Sequence, residues 1–289
     1  MIIIGMHRSG TTMITKHLQS LGLFVGKKKD ENNESLYFRK LNDWMLNRLY
    51  SRWDTPPLSD LLSRLPDYKE EFIRVLQLHQ SSLKANEYLG MLRYLKYRSI
   101  ANIDFPWGWK DPRNTLTLDI WKELYPNSKI VHVYRNPIDI AQSLRVRLLS
   151  DSKKSLSSFD NVKNYIKNYT LINRMNNTDS LNVHDLNFGI NLWKQYMGRA
   201  ENLKISYSES FFEVKYEDYL SNPFFILKEL AEYVLLSTNE DQIKRIVQTV
   251  DNSRKYSFVL DQELLDIYNS WKTDDIVKKF GYDTLISMQ

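Results

Sequence analysis

The first twelve residues, MIIIGMHRSGTT, constrain the fold more than any other stretch of the chain. Met1–Ile4 is an apolar, mostly β-branched run suited to a fully buried strand, and a helix is expected from about Thr11 through Gln19. Between them Gly5 and Gly10 keep the spacing of the nucleotide-binding P-loop, G-x-x-x-x-G-K-[ST], whose backbone N–H groups and helix N-terminus face an anion. Thr11 replaces the lysine of that motif, Thr12 keeps the hydroxyl, and the loop's cation is Arg8. An arginine there offers a fork of donors to a phosphate or a transferring anionic group, so anion binding survives while triphosphate chemistry is disfavoured. The alternative is a plain glycine turn. Arg8, Ser9, two glycines and two threonines crowded between strand and helix argue against it.

At 289 residues the chain is long enough to bury a sizeable core. It has no cysteine, which excludes disulfides, thiolate metal sites and a cysteine nucleophile. His7, His17, His79, His132 and His184 show no metal-ligand spacing, so no metal is expected. The chain enters its first strand without a charged leader, and no window approaches a membrane span, so a soluble cytoplasmic protein is expected. The net charge of +5 suits an anionic ligand.

Further along, Gly22 and Gly26 bracket LFV, read as a short second strand. A helix is expected from Leu36, which puts Glu34 at or just before its start, either as a helix-dipole partner or cap or as a general base. From Ser51 to about Ala101 the pattern is helical, with breaks at Pro56–Pro57 and Pro66 and a long amphipathic piece from Tyr68 to Arg98. This reads as a helical insertion, spanning about residues 40–100, in one domain covering 1–289. In PWGWKDPR (106–113) a strand ends in Lys110 and Asp111, at the sheet edge where α/β proteins bind ligands; a local ion pair is the other reading.

A helix is expected over Thr115–Tyr125, a buried strand over Ile130–Tyr134 ending in Arg135, and a helix from Ile138 to Leu149. A Walker-type ATPase would end that strand in an Asp that helps hold Mg²⁺. Arg135 instead calls for an anion directly, with the Ser143 hydroxyl as a second donor, unless it serves a structural ion pair. Residues 149–185 are polar and read as a lid-like or acceptor-binding segment, with one helix around Val162–Leu171. Helices are expected over Phe188–Asn202, Pro223–Leu236 and Asp241–Val250, with a strand over Phe211–Tyr216 that brings Tyr216 toward Arg135 and Lys110. Arg254 and Lys255 lie in a small basic loop, either solvated surface or phosphate contacts, and Glu263–Lys279 is expected to be helical.

The alternation of strands and helices predicts an α/β, three-layer P-loop-type fold with a mostly parallel central sheet and helical insertions. GMHRSGTT, YRNPIDIAQSL and KYEDYLSNP together resemble the sulfotransferase family, which moves a sulfuryl group from 3′-phosphoadenosine 5′-phosphosulfate (PAPS) to a hydroxyl or amine. WGWKDPR resembles a segment of its bacterial and tyrosylprotein branches. The matches run in order from residue 2 to about 236.

The resemblance implies a metal-free site, in which Arg8, Ser9, Gly10, Thr11 and Thr12 hold the 5′-phosphosulfate and Arg135 and Ser143 hold the 3′-phosphate. It places Tyr216 beside the adenine, with Arg254 and Lys255 closing over the 3′-phosphate. Lys110 and Arg8 would neutralise charge on the bridging oxygen, and Glu34, in NESLYF, would be the general base. Arg39 stands where relatives often carry an acid, and Asp30, Glu31 and Asp43 are reserve bases; His7 sits in the cradle loop and is not read as the base. The product would be adenosine 3′,5′-bisphosphate. The acceptor is expected to be a carbohydrate or glycoconjugate hydroxyl, from the bacterial look of WGWKDPR and the abundance of Trp and Tyr suited to sugar faces. A P-loop small-molecule kinase or NTPase is the runner-up, disfavoured by the missing Walker Lys and strand-end Asp. A non-catalytic nucleotide- or nucleic-acid-binding module would leave Glu34 and the Arg135–Ser143 pair without a task, so no nucleic-acid partner is expected.

Overall fold

The computed structural model describes residues 1–56, 65–157 and 180–284, with the backbone alone over 151–157. The helix expected around Val162–Leu171, and with it most of the lid-like segment, lies outside the described residues. In chain order the elements are β1 (Ile2–Ile4), α1 (Thr11–Ser20), α2 (Leu36–Arg48), α3 (Pro66–Ser81), α4 (Asn86–Leu89), α5 (Met91–Tyr97), β2 (Trp109–Lys110), α6 (Asn114–Leu124), β3 (Ile130–Tyr134) and α7 (Pro137–Ser157). There follow α8 (Leu186–Ser206), β4 (Phe211–Lys215), α9 (Tyr216–Ser221), α10 (Pro223–Tyr233), α11 (Glu240–Val247), α12 (Gln262–Trp271) and α13 (Asp275–Lys279). Among the described residues no helix is long and apolar enough to cross a membrane.

The four strands form one parallel sheet in the order β2-β1-β3-β4. Parallel strands need both faces covered, and the alternation in β1 shows how this is done. Ile2 and Ile4 join Phe38, Phe72, Tyr88, Leu118 and Trp121, from α2, α3, α4 and α6, in one core cluster. Ile3, with Val131, Val133 and Val214, faces Ile14, Leu18, Leu227, Leu230 and Ile243, from α1, α10 and α11. Three layers result. Register sets Ile3 opposite Lys110, so Lys110 ends β2 one residue before the level at which β1 gives way to the Gly5 loop.

Three sequence expectations fail. LFV forms no strand: only Phe24 pairs, in an isolated bridge to Trp107. The helix expected from Tyr68 to Arg98 is three, because Ser82 is extended and caps a short 3₁₀ turn, and Gly90 takes φ +77°, outside the helical range. The tail divides likewise into α12 and α13.

The chain forms two compact units. One comprises Met1–Arg135 and Tyr196–Lys255 and contains the whole sheet. The other comprises Asn136–Gln195 and Tyr256–Gln289. Within this second unit Asp139 Oδ1 accepts from Ser257 Oγ (2.9 Å) and the Phe258 backbone N–H (3.0 Å), and Trp193 packs edge-on against Phe280 and Tyr282.

Candidate active site

Gly5 leaves β1 at φ +142°, and a β-carbon there would lie 2.2 Å from the Val133 carbonyl oxygen of the neighbouring strand. Gly10 ends the loop at φ +91°, where a β-carbon would lie 2.3 Å from the Tyr216 ring. Between them Arg8 holds a left-handed backbone (φ +71°) and an exposed side chain, and buried Ser9 donates its hydroxyl to the Met6 carbonyl at 2.7 Å. The loop therefore runs into α1 as a tight backbone cup, closed below by strand and ring. Thr115 Oγ1 accepts from the Gly5 N–H at 3.0 Å.

A second piece is fastened to α1. Thr12 donates its hydroxyl to the Asn32 carbonyl (3.0 Å), and Gln19 Oε1 accepts from Lys29 Nζ (2.8 Å) and Asn33 Nδ2 (3.2 Å). Asp30 Oδ1 accepts from the backbone N–H groups of Asn32 and Glu34, while its other oxygen pairs with Arg39 at 2.9 Å. This tight turn delivers Glu34, only 5% exposed, to the end of β2. There Lys110 Nζ donates to Glu34 Oε1 at 3.0 Å, and Arg113 lies 3.6 Å from Oε2.

Lys110 is itself 2% exposed. Burial pushes the Glu34 carboxyl above the usual carboxylate range, and Lys110 and Arg113 pull it part of the way back. Asp43, one of the reserve bases, is pushed up to about 6 by burial and stands 2.7 Å from Arg113 Nε. Asp30 is engaged with Arg39 and its own loop, and Glu31 is exposed.

A third group gathers at the end of β3. The Arg135 guanidinium sits 4.7 Å over the Tyr216 ring and donates to the Arg254 carbonyl at 3.1 Å. The ring that supports Arg135 is thus the one packed on Gly10. Lys255 donates to Ser221 Oγ at 2.7 Å. Ser143 lies half-buried on α7, in the other unit, while every other residue expected at the site belongs to the first unit.

Comparison with known proteins adds a decisive point: the model of the sulfotransferase family matches residues 1–240. This chain belongs to the sulfotransferase family. The sulfotransferase from Alicyclobacillus acidocaldarius is 15% identical, covers 98% of this chain and 96% of its own, and superposes with a TM-score of 0.50, a likeness of fold. The sulfotransferase domain of the Synechococcus PCC 7002 olefin synthase is 17% identical over 98% and 94% of the two chains, with a TM-score of 0.48. No curated protein sequence matches the chain.

In this sulfotransferase the packing around β2 brings in residues to which the sequence assigned no role. Trp109 is a core residue, stacked on Phe38 with ring centroids 3.9 Å apart, and half-buried Trp107 packs against the same cluster. Arg113 was visible in WGWKDPR but carried no expected role; it meets Glu34, Asp43 and Asp111 together. Asn42 was not singled out at all. Its amide nitrogen donates to Asp111 Oδ2 (2.9 Å) and Asn114 Oδ1 (2.8 Å), and its oxygen accepts from Thr117 and Trp121 (both 2.8 Å). A polar residue on the buried face of an otherwise amphipathic helix was the available signal.

Proposed function

We propose that this sulfotransferase uses PAPS as its donor and a hydroxyl group, of a carbohydrate or glycoconjugate, as its acceptor. The observation that carries the reading is the buried Lys110–Glu34 pair beside an arginine-bearing backbone cup. The missing β-carbon at Gly10 makes room for the Tyr216 ring, which in turn carries the Arg135 guanidinium on its face, and Arg135 offers a second anion contact beside the loop's backbone N–H groups and Arg8. These features fit a donor with two anionic ends. Arg8 to Thr12 would hold its 5′-phosphosulfate, Arg135 and Ser143 its 3′-phosphate, Tyr216 its adenine, and Arg254 and Lys255 the outer side of the 3′-phosphate.

The donor supplies an activated sulfuryl group, whose bond from sulfur to the bridging phosphate oxygen breaks as the acceptor oxygen bonds to sulfur. Glu34 takes the acceptor hydroxyl proton, and its raised basicity suits that task. Lys110 and Arg8 neutralise the negative charge that the departing bridging oxygen collects, together with the loop's backbone N–H groups. The helical insertion and residues 149–185 select the acceptor. A metal-independent transfer is part of this reading, since Arg and Lys occupy the places from which charge would be balanced.

Calorimetric titration tests the donor assignment. Adenosine 3′,5′-bisphosphate should bind without metal and more tightly than 5′-AMP or ATP with Mg²⁺, and Arg135→Ala should cost about 1.5–3 kcal/mol, roughly ten- to a hundredfold, of that preference. Tighter binding of ATP with Mg²⁺ overturns the assignment. An acceptor panel of sugars, phenols and peptides with PAPS then tests the hydroxyl class.

A further inference from the structure

Around the Glu34–Lys110 pair the charges do not balance. Glu34, Asp43 and Asp111 supply three carboxyl groups, and Lys110 and Arg113 two cations, all within one buried cluster of the first unit. Arg113 is the residue they share. Its Nε meets Asp43 at 2.7 Å, its Nη1 meets Asp111 Oδ1 at 3.0 Å, and the same Nη1 stands 3.6 Å from Glu34 Oε2. Asp111 also accepts from the Arg113 backbone N–H at 3.0 Å and from Asn42 at 2.9 Å, so that side of the fork is fixed by the chain itself.

A guanidinium hydrogen-bonded to Asp111 and in close ion-pair contact with Asp43 is turned toward those two carboxylates rather than toward a third at 3.6 Å. The geometry therefore gives Glu34 one full partner, Lys110, and one fractional partner. We infer that Arg113 is the positioning residue of the proton-abstracting site: it orients Glu34, and its division among Asp43, Asp111 and Glu34 sets how readily Glu34 takes a proton. The inference rests on Glu34 being the general base.

Other charged groups surround the cluster. Asp30, on the loop that carries Glu34, and Asp111 both favour the protonated form, whereas Lys110 and Arg113 favour the carboxylate. Asp43 and Arg39 face it from α2, and Arg39 is engaged with Asp30. The buried hydroxyl of Tyr196, which donates to the Trp53 carbonyl at 2.8 Å, lies within electrostatic reach of Arg113, Asp111 and Glu34, and of Asp54 on its other side. Of the carboxyl groups around Arg113, Asp43 is the most accessible, with 18% of its side chain exposed against 7% for Glu34 and 1% for Asp111. It is therefore the member that can be altered with least disturbance.

The test is the acid limb of the kcat/KM profile with PAPS and any accepted hydroxyl substrate, measured for the wild type and four variants. Glu34→Gln comes first and should lower kcat by roughly 10²–10⁴-fold. If it does not, the general-base reading fails, and the inference fails with it. Given that loss, Asp43→Asn should move the acid limb to lower pH, because it removes a negative charge and leaves more of Arg113 for Glu34. Arg113→Gln should move the limb to higher pH by about one unit or more, and Arg113→Lys should restore it toward the wild-type position while kcat stays reduced. Shifts of opposite sign for Asp43→Asn and Arg113→Gln are what a merely structural role would not produce. If Arg113→Gln does not fold, the sign of the Asp43→Asn shift decides alone. An acid limb that stays in place in Asp43→Asn, or rises, overturns the role of Arg113 while leaving Glu34 as the base.

Discussion

Gly10 shows how little room a single site in the cradle allows. Its φ of +91° is strained for any other residue, and a β-carbon would stand 2.3 Å from Cδ2 and 2.6 Å from Cε2 of Tyr216. The ring cannot simply step aside, because Arg135 rests on its face. Gly10→Ala is therefore expected to displace Tyr216 and Arg135 together. Titration with adenosine 3′,5′-bisphosphate should show affinity falling about tenfold or more, the size of one lost charge-assisted contact, while 5′-AMP loses less. Equal losses for the two ligands would mean that the ring does not couple the cradle to Arg135. At this scale Arg8, Gly10 and Arg135 were legible in the sequence, because each sits where a strand ends and a helix follows. Arg113 and Asn42 were not: Asn42 meets Asp111 across 69 positions, and Arg113, whose Asp111 contact is only two residues away, draws its part in the site from Glu34 and Asp43, which the fold brings from the other side of β2. Spacing arguments read neighbours, and these contacts are made by the fold.

Strands and helices were legible to the extent that their own side chains dictate them. Ile130–Tyr134 is a strand with the expected bounds because its apolar run is buried on both faces. LFV is likewise apolar but has only a single bridging partner, and the stretch after Tyr68 kept helical spacing across two breaks that Ser82 and Gly90 impose. The pairing of β3 with β4 carries a prediction of its own. His132 and Glu213 stand directly opposite, with Nδ1 3.3 Å from Oε1, and Lys204 pairs with the other Glu213 oxygen. Those two hydrogen-bonded partners outweigh burial and hold the Glu213 carboxyl down at about 2. The folded protein therefore releases this proton more readily than the unfolded chain, whose Glu titrates near 4.5. Stability from Glu213 is fully present above that value and disappears as pH falls toward about 2. Glu213→Gln should melt lower than wild type at pH 7, by about 1–3 kcal/mol of stability, with the gap narrowing steadily below pH 4.5. A gap independent of pH would remove the electrostatic explanation.

Across the whole molecule, the residues proposed to hold the donor come from distant parts of the chain but, Ser143 aside, from one compact unit. Binding of adenosine 3′,5′-bisphosphate should therefore be felt unevenly. Hydrogen exchange followed by mass spectrometry should show slowed exchange in peptides covering residues 5–12, 134–136 and 214–220, and little change in α12 and α13. At about a hundred times the dissociation constant the ligand adds roughly 2.7 kcal/mol of stability, which thermal melting will detect. Uniform protection of both units, or none, would contradict the placement of the site. The sequence-level expectation of a three-layer sheet protein holds, since the topology β2-β1-β3-β4 follows from parallel crossovers. What the sequence left dark was the division into units, because the first unit is assembled from two separated lengths of chain.

That assembly has a consequence for the order of events at the ribosome. Gly10 is made about 200 residues before the Tyr216 ring that closes the cradle from beneath. At typical elongation rates the glycine loop waits roughly 10–40 s for its lid of strand and ring. Once β3 has been made, the nascent chain carries the apolar β1–β3 pair while β4, the other neighbour of β3, does not yet exist. A nascent chain halted before Tyr216 should thus be unable to retain the nucleotide, however well its amino-terminal half has folded.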